Sequence, residues 1–413
     1  MSPASAQRRT LSVLFVTQTV GGTGSALGGA VAALLAAELG GVGISGLAQS
    51  ASVVGAALFA VPATAIVHRQ GRRPSLAACY ATAATGAILI VTAAMWHALP
   101  ILFAGTFLLG GSTAATYQAR YAAVDLAPLA LRGRHLSLIV WATTVGAVIG
   151  PSLAGPAGTL LATHGIPTLA GPFLFASLLF VLAALVLLAL LRPDPAVVAR
   201  GALAEAGSGG LPPKGAGLRE AARIVGAEPA ARLGVITMAL GHVVMVGVMT
   251  MTPVHIRGAG HDAAHTLDIV GLVLSAHVAG MFALAPVFGW LTDRLGRRAV
   301  IALGTALLLT ACAVAGTAGQ APRQLATGLL ILGLGWSATL VSGSTLLSDA
   351  IPTERRASVQ GFADLVMGLA GACAGALSGV VVGTWSYPAL TLVAAIATVP
   401  LIVAVVPSSR RFA

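Results

Sequence analysis

Asp364, His242 and His277 are titratable side chains that stand inside long apolar runs. Ionisable groups at membrane depth are costly and generally functional. A carboxylate that alternates between charged and neutral can carry a proton, and so can an imidazole. Around them are side chains able to line a solute site: Gln18, Trp141, Met245, and Arg120 beside Tyr117 and Gln118. Bland readings exist for each. Asp364 could hold a fixed bond to Arg120 or to backbone amides, the histidines could be satisfied core groups, and Arg120 and Glu38 could be interfacial anchors. Met238, His242, Met245 and Met249 fall on one helical face. That stripe reads as adaptable apolar surface rather than a soft-metal site. Cys79, Cys312 and Cys373 lie singly in apolar runs, so neither a metal nor a disulfide framework is expected.

A second kind of chemistry lies in the loops. Gly289-Trp-Leu-Thr-Asp293-Arg294-Leu-Gly296-Arg297-Arg298 carries its charges between two apolar runs. A weaker copy, His68-Arg69-Gln70-Gly71-Arg72-Arg73, lies 225 positions earlier, with Thr64 where the first Gly would fall. Gly permits a tight turn, and arginines stay out of lipid. The chemistry available here is ion pairing, and Asp125 and Asp349 end the neighbouring apolar runs.

The elements that must position these groups are membrane helices. The chain is 57% hydrophobic and 8% charged, far below the ~25% charged residues of a soluble domain. A spanning helix needs about 20 apolar residues. Twelve runs qualify, near 11–37, 44–67, 74–95, 99–120, 136–161, 170–191, 232–254, 267–291, 299–318, 324–347, 357–382 and 386–407. The polar stretch 193–231 divides a bundle at 1–192 from one at 232–413 and is expected to hold a short surface helix near 217–226. Of 23 Lys and Arg residues, all but Arg257 and Arg323 fall on one side of this arrangement. Both termini are therefore expected in the cytoplasm of a bacterial cell, with the chain in its inner membrane. The net charge of +11 is dispersed over these loops, which argues against nucleic acid.

The halves repeat. At an offset of 224, Gly111 falls on Gly335, Asp125 on Asp349, Pro128 on Pro352 and Arg132 on Arg356. Internal repeats with a site at their interface are a transporter architecture. No phosphate-binding loop, His-Glu-x-x-His or paired-carboxylate site is present, so neither an ATP-driven pump nor an enzyme is expected, and no cofactor.

The loop signature resembles motif A of the major facilitator superfamily, matched throughout by the second copy. The resemblance implies twelve helices in two pseudo-symmetric six-helix bundles. It also implies that Arg69 and Arg73 pair with Asp125, and Arg294 and Arg298 with Asp349. Asp293 would latch to the start of helix 5, with His68 as a neutral or pH-dependent counterpart at helix 11. Gly146-Ala-Val-Ile-Gly150-Pro151-Ser-Leu-Ala-Gly155-Pro156 resembles motif C of proton-coupled exporters, with Ala154 for one Gly. The Arg that such exporters carry in helix 4 is absent, and Thr106 stands about there. The resemblance points to a monomeric drug:proton antiporter-like exporter of small, amphipathic compounds. The alternatives are a proton-coupled importer of a small metabolite and a non-transporting receptor or lipid-handling scaffold of the same fold.

Overall fold

Long apolar stretches rich in Ala, Leu and Val satisfy their backbone groups internally, which in lipid leaves helix as the viable form. The computed structural model describes residues 3–128, 131–205 and 218–405, and all regular structure in these is helical. In chain order come α1 (Pro3–Gly40), α2 (Val42–Gln70), α3 (Arg72–Trp96), α4 (Leu99–Ala122), α5 (Arg132–Ser152), α6 (Ala154–Ala162), α7 (Gly171–Leu190) and α8 (Pro195–Glu205). They are followed by α9 (Leu218–Ala227), α10 (Pro229–Arg257), α11 (Ala263–Phe282), α12 (Ala285–Leu295) and α13 (Arg297–Gly316). The last are α14 (Pro322–Ala350), α15 (Thr353–Thr384), α16 (Tyr387–Ile396) and α17 (Val399–Val405). Among the described residues, twelve spans are long and apolar enough to cross a membrane.

Three of the expected spans are interrupted. The run 136–161 is α5 and α6, parted at Leu153; 267–291 is α11 and α12; 386–407 is α16 and α17. Each restart holds a Pro in its first turns: Pro156, Pro286 and Pro400. Pro lacks the N–H that would continue the ladder and crowds the preceding turn, while the apolar run continues unbroken. The helix expected near 217–226 is α9. The linker carries a further helix, α8, which the composition did not signal. Residues 206–217, with Pro212 and Pro213, lie outside the described residues.

Two compact units emerge: Met1–Gly210 with Gly260–Ser275, and Leu211–Ala259 with Ala276–Ala413. Residues 260–275, which follow the expected boundary at 231, group by contact with the first unit. Small residues explain it, since Gly271 sits where a Cβ would be 2.7 Å from the Pro151 carbonyl. Within each unit, corresponding helices pack through corresponding glycines. A Cβ at Gly111 of α4 would meet the Cys79 carbonyl of α3 at 2.6 Å, and one at Gly335 of α14 would meet Leu308 N of α13 at 2.9 Å. Such close approach is how helices associate in lipid, where apolar burial gives no drive. In the second unit α9 inserts Ala221 and Val225 among Val235, Met238, Leu347 and Val359.

Candidate functional site

The two charged loops fold alike. Gly71 has φ 106° and Gly296 φ 90°, and each both ends one helix and begins the next. The residue after each glycine starts the following helix and turns toward the acid at the end of the next one. Arg72 donates Nε to Asp125 Oδ2 at 2.9 Å and Nη2 to Oδ1 at 3.1 Å. Arg297 donates Nε to Asp349 Oδ2 at 2.9 Å. The pairing expected from the resemblance is thus corrected. Arg72 and Arg297 hold the acids, not Arg69 and Arg73 or Arg294 and Arg298. Arg69 and Arg298 are exposed. Arg73 contributes its backbone N–H to Asp194 Oδ2 at 2.7 Å. Arg294 lies over the Trp290 ring, 5.1 Å from its centroid.

The copy that departs from the signature is the better bonded. Arg72 Nη1 also donates to Gln118 Oε1 at 2.7 Å, and Gln118 Nε2 donates to Thr64 Oγ1 at 3.0 Å. Arginine only donates, so this fixes the amide orientation of Gln118. Thr64, which replaces the first signature Gly, is therefore the outer anchor of a chain running Thr64–Gln118–Arg72–Asp125. In the second copy these places hold Gly289 and Ser342, and Ser342 bonds within its own helix to Ala338 O. The acid side chains differ accordingly, Asp125 being 17% exposed and Asp349 52%. Asp293 is 77% exposed, with Arg297 Nη2 at 3.7 Å.

Sequence reasoning missed Asp194. Its Oδ1 accepts from Ala196 N at 3.0 Å and Val197 N at 3.3 Å, so it caps α8 while Oδ2 takes the Arg73 amide. Arg200 of α8 donates to the His68 carbonyl. The linker helix is thereby fastened to the first charged loop. Asp followed by Pro195 at the first helical position was the available signal.

The Gly-Pro stretch forms a seam on α1. A Cβ at Gly146 would stand 2.3 Å from Thr19 O, and one at Gly150 2.6 Å from Thr23 O. Beyond Pro151 the same stretch meets the first half of α11. Ser275 Oγ donates to Val148 O at 2.8 Å and lies 2.8 Å from Ser152 Oγ. The Asp268 carboxylate lies against Gly155, 1.9 Å from where its Cβ would be. Asp268 was not singled out in the sequence, since it stands at the very edge of an apolar run.

Of the candidate proton and solute residues, Gln18, Arg120 and Trp141 belong to the first unit and His242, Met245, His277 and Asp364 to the second. Gln18 is fully buried between α1 and α3 and donates Nε2 to Tyr80 OH at 2.9 Å. Met245 is likewise buried, at 4% exposure. An all-apolar helix gives no moment by which to tell its core face from its open face. His242 accepts on Nδ1 from Trp336 Nε1 at 3.0 Å, with its ring over Gly371. His277 is fully buried, its Nδ1 2.8 Å from the Leu329 carbonyl, and among the described residues Nε2 has no partner. The carbonyl can only accept, so Nδ1 carries the proton. Arg120 lies 5.5 Å from the Tyr117 ring centroid. Asp364 lies exposed on α15. Trp141 is 60% exposed on α5, 6.1 Å from the Phe15 ring. It borders a cleft of about 520 Å³ with Leu11, Arg134, His135, Ser137 and Leu138.

The family model described as Major Facilitator Superfamily matches residues 13–267 and 259–411. The chain is 40% identical over 406 residues to an uncharacterized MFS-type transporter, YdeG, of Bacillus subtilis, covering 98% of this chain and 93% of that one. It is 27% identical over 423 residues to the riboflavin transporter RfnT of Brucella anthropi, covering 98% of each. Among solved structures, a bacterial homolog of the human lysosomal transporter Spinster aligns with TM-score 0.68 at 18% identity, over 97% of this chain and 94% of that one.

Proposed function

This chain belongs to the major facilitator superfamily, and we propose that it is a proton-coupled exporter of small amphipathic organic compounds working by alternating access. Members of this family are transporters and not enzymes, and the twelve apolar helices make this a multi-pass membrane protein. Export is carried by one observation, the Gly146–Gly150–Pro151 seam, whose backbone-to-backbone approach to α1 tolerates no side chain. The same residues carry the resemblance to the exporter motif. Proton coupling is supported by Asp364, His242 and His277 in spans of a chain without a nucleotide-binding motif. The distribution of arginine favours cytoplasmic termini, and a monomer suffices for this mechanism. A ring-bearing organic solute is in keeping with the full-length likeness to a relative named as a riboflavin transporter.

The test uses everted membrane vesicles from cells with and without the gene, energised to make the lumen acidic. Accumulation of a panel of amphipathic dyes that collapses when nigericin dissipates the pH gradient supports export. Gradient-driven uptake into right-side-out cells, with none into everted vesicles, would make the protein an importer.

A further inference from the structure

We propose that the cleft between α1 and α5 is a binding site for amphipathic organic anions, with Arg134 and His135 taking the negative group and Trp141 the apolar body. The cleft lies within the first unit and is bordered by Leu11, Arg134, His135, Ser137, Leu138 and Trp141. A shallower hollow continues it along α1, sharing Leu11 and Leu138 and adding Phe15. Arg134, Leu138 and Trp141 follow at intervals of four and three, so they share one helical face. Seven residues at 1.5 Å each place the guanidinium end and the indole end about 10 Å apart along the axis. That spacing suits a molecule with a charged head and an apolar, ring-bearing body.

The polar end is a donor site. Gln7 Nε2 lies 2.7 Å from Ala123 O, which can only accept, so the amide nitrogen is fixed there. Its second hydrogen meets His135 Nδ1 at 3.0 Å, which makes that nitrogen an acceptor and places the ring proton on Nε2. His135 thus keeps an N–H to offer even when neutral. Ser137 spends its hydroxyl hydrogen on Arg134 O at 2.9 Å. No acid borders the cleft, and among the described residues no carboxylate pairs with Arg134. An exposed arginine with a neighbouring N–H and no acid favours an anion. Trp141 and Phe15 offer ring faces beside it, 6.1 Å apart and inclined by 36°.

A free organic anion and an anionic lipid share this chemistry, and the inference commits to the free solute. It takes its biological meaning from the transport reading, but equilibrium binding needs no gradient, so the two can fail separately. The test measures 8-anilinonaphthalene-1-sulfonate and its uncharged relative N-phenyl-1-naphthylamine on the full chain in phosphatidylcholine nanodiscs. Saturable binding of the sulfonate should weaken about tenfold in Arg134→Gln, the loss of one charge-assisted contact. It should recover in Arg134→Lys, which also controls for folding. The uncharged probe should be indifferent to Arg134→Gln, and Trp141→Ala should weaken both probes. Equal sulfonate affinity in wild type and Arg134→Gln would overturn the proposal. So would loss of the difference between those two proteins in discs containing phosphatidylglycerol, which would make the cleft a lipid site.

Discussion

Arg72 and Asp125 exchange two hydrogen bonds, at 2.9 and 3.1 Å, while Arg297 and Asp349 at the repeated positions exchange one at 2.9 Å. The difference follows from what flanks them. Gln118 and Thr64 complete the guanidinium's contacts in the first unit, and the pair is correspondingly buried. The second pair is more open to solvent. The loop that keeps the full signature is therefore the looser of the two.

Asp125→Asn is expected to destabilise the protein by about 2–3 kcal/mol, because it strips charge from a partly buried bidentate pair. Asp349→Asn should cost no more than about 1 kcal/mol, as exposed pairs do. Thermal unfolding in detergent ranks them. An equal fall in melting temperature would show that burial at Asp125 contributes nothing.

Asp293 is exposed, with Arg297 Nη2 at 3.7 Å. Asp293→Asn should leave the melting temperature almost unchanged, since such pairs are worth about 0–1 kcal/mol. It should nevertheless slow transport, if the signature Asp is the working latch. His68→Ala should slow it less. A larger loss in His68→Ala, measured as initial rate in vesicles, would reverse that assignment.

What the sequence made legible was set by charge and periodicity. The two loops, the acids at Asp125 and Asp349 and the twelve apolar runs all stand out because charge is scarce here. Which arginine reaches the acid was hidden, because it depends on the direction in which the chain leaves a positive-φ glycine. The bond from Gln18 to Tyr80 was hidden too, because residue type alone does not name a partner. The breaks at Leu153 and before Pro286 and Pro400 leave hydropathy unchanged and so left no mark in it. Asp194 and Asp268 were passed over because each lies at a boundary, where an acid is ordinary.

Gly155 admits the Asp268 carboxylate to the turn of the Gly-Pro stretch. The obstructing atom is the end of a flexible side chain, so Gly155→Ala should fold and displace the carboxylate. Its cost should be about 1–2 kcal/mol, the range of a modest overpacking. Asp268→Ser should relieve that strain, making the double variant milder than the sum of the two. Strict additivity in melting temperature would mean that the two residues do not interact.

Under the proposed proton coupling, Asp364 is the candidate carrier and His242 and His277 are its competitors. Trp336 Nε1 can only donate, so His242 Nδ1 must be an unprotonated acceptor while their 3.0 Å bond lasts. A neutral ring then carries its hydrogen on Nε2, beside Gly371. Adding a second proton would put it on Nδ1 and break the Trp336 bond. A second proton on His242 would therefore cost the Trp336 bond, a cost that Asp364 does not bear in this proposal. Asp364→Asn keeps the shape and removes the charge. It should abolish transport driven by a pH gradient, while substrate binding and downhill exchange survive. Trp336→Phe should leave the pH profile of transport where it was, since only the indole donor is lost. The opposite pattern would place the proton on His242: gradient-driven accumulation at the wild-type rate in Asp364→Asn, with a displaced pH profile in Trp336→Phe.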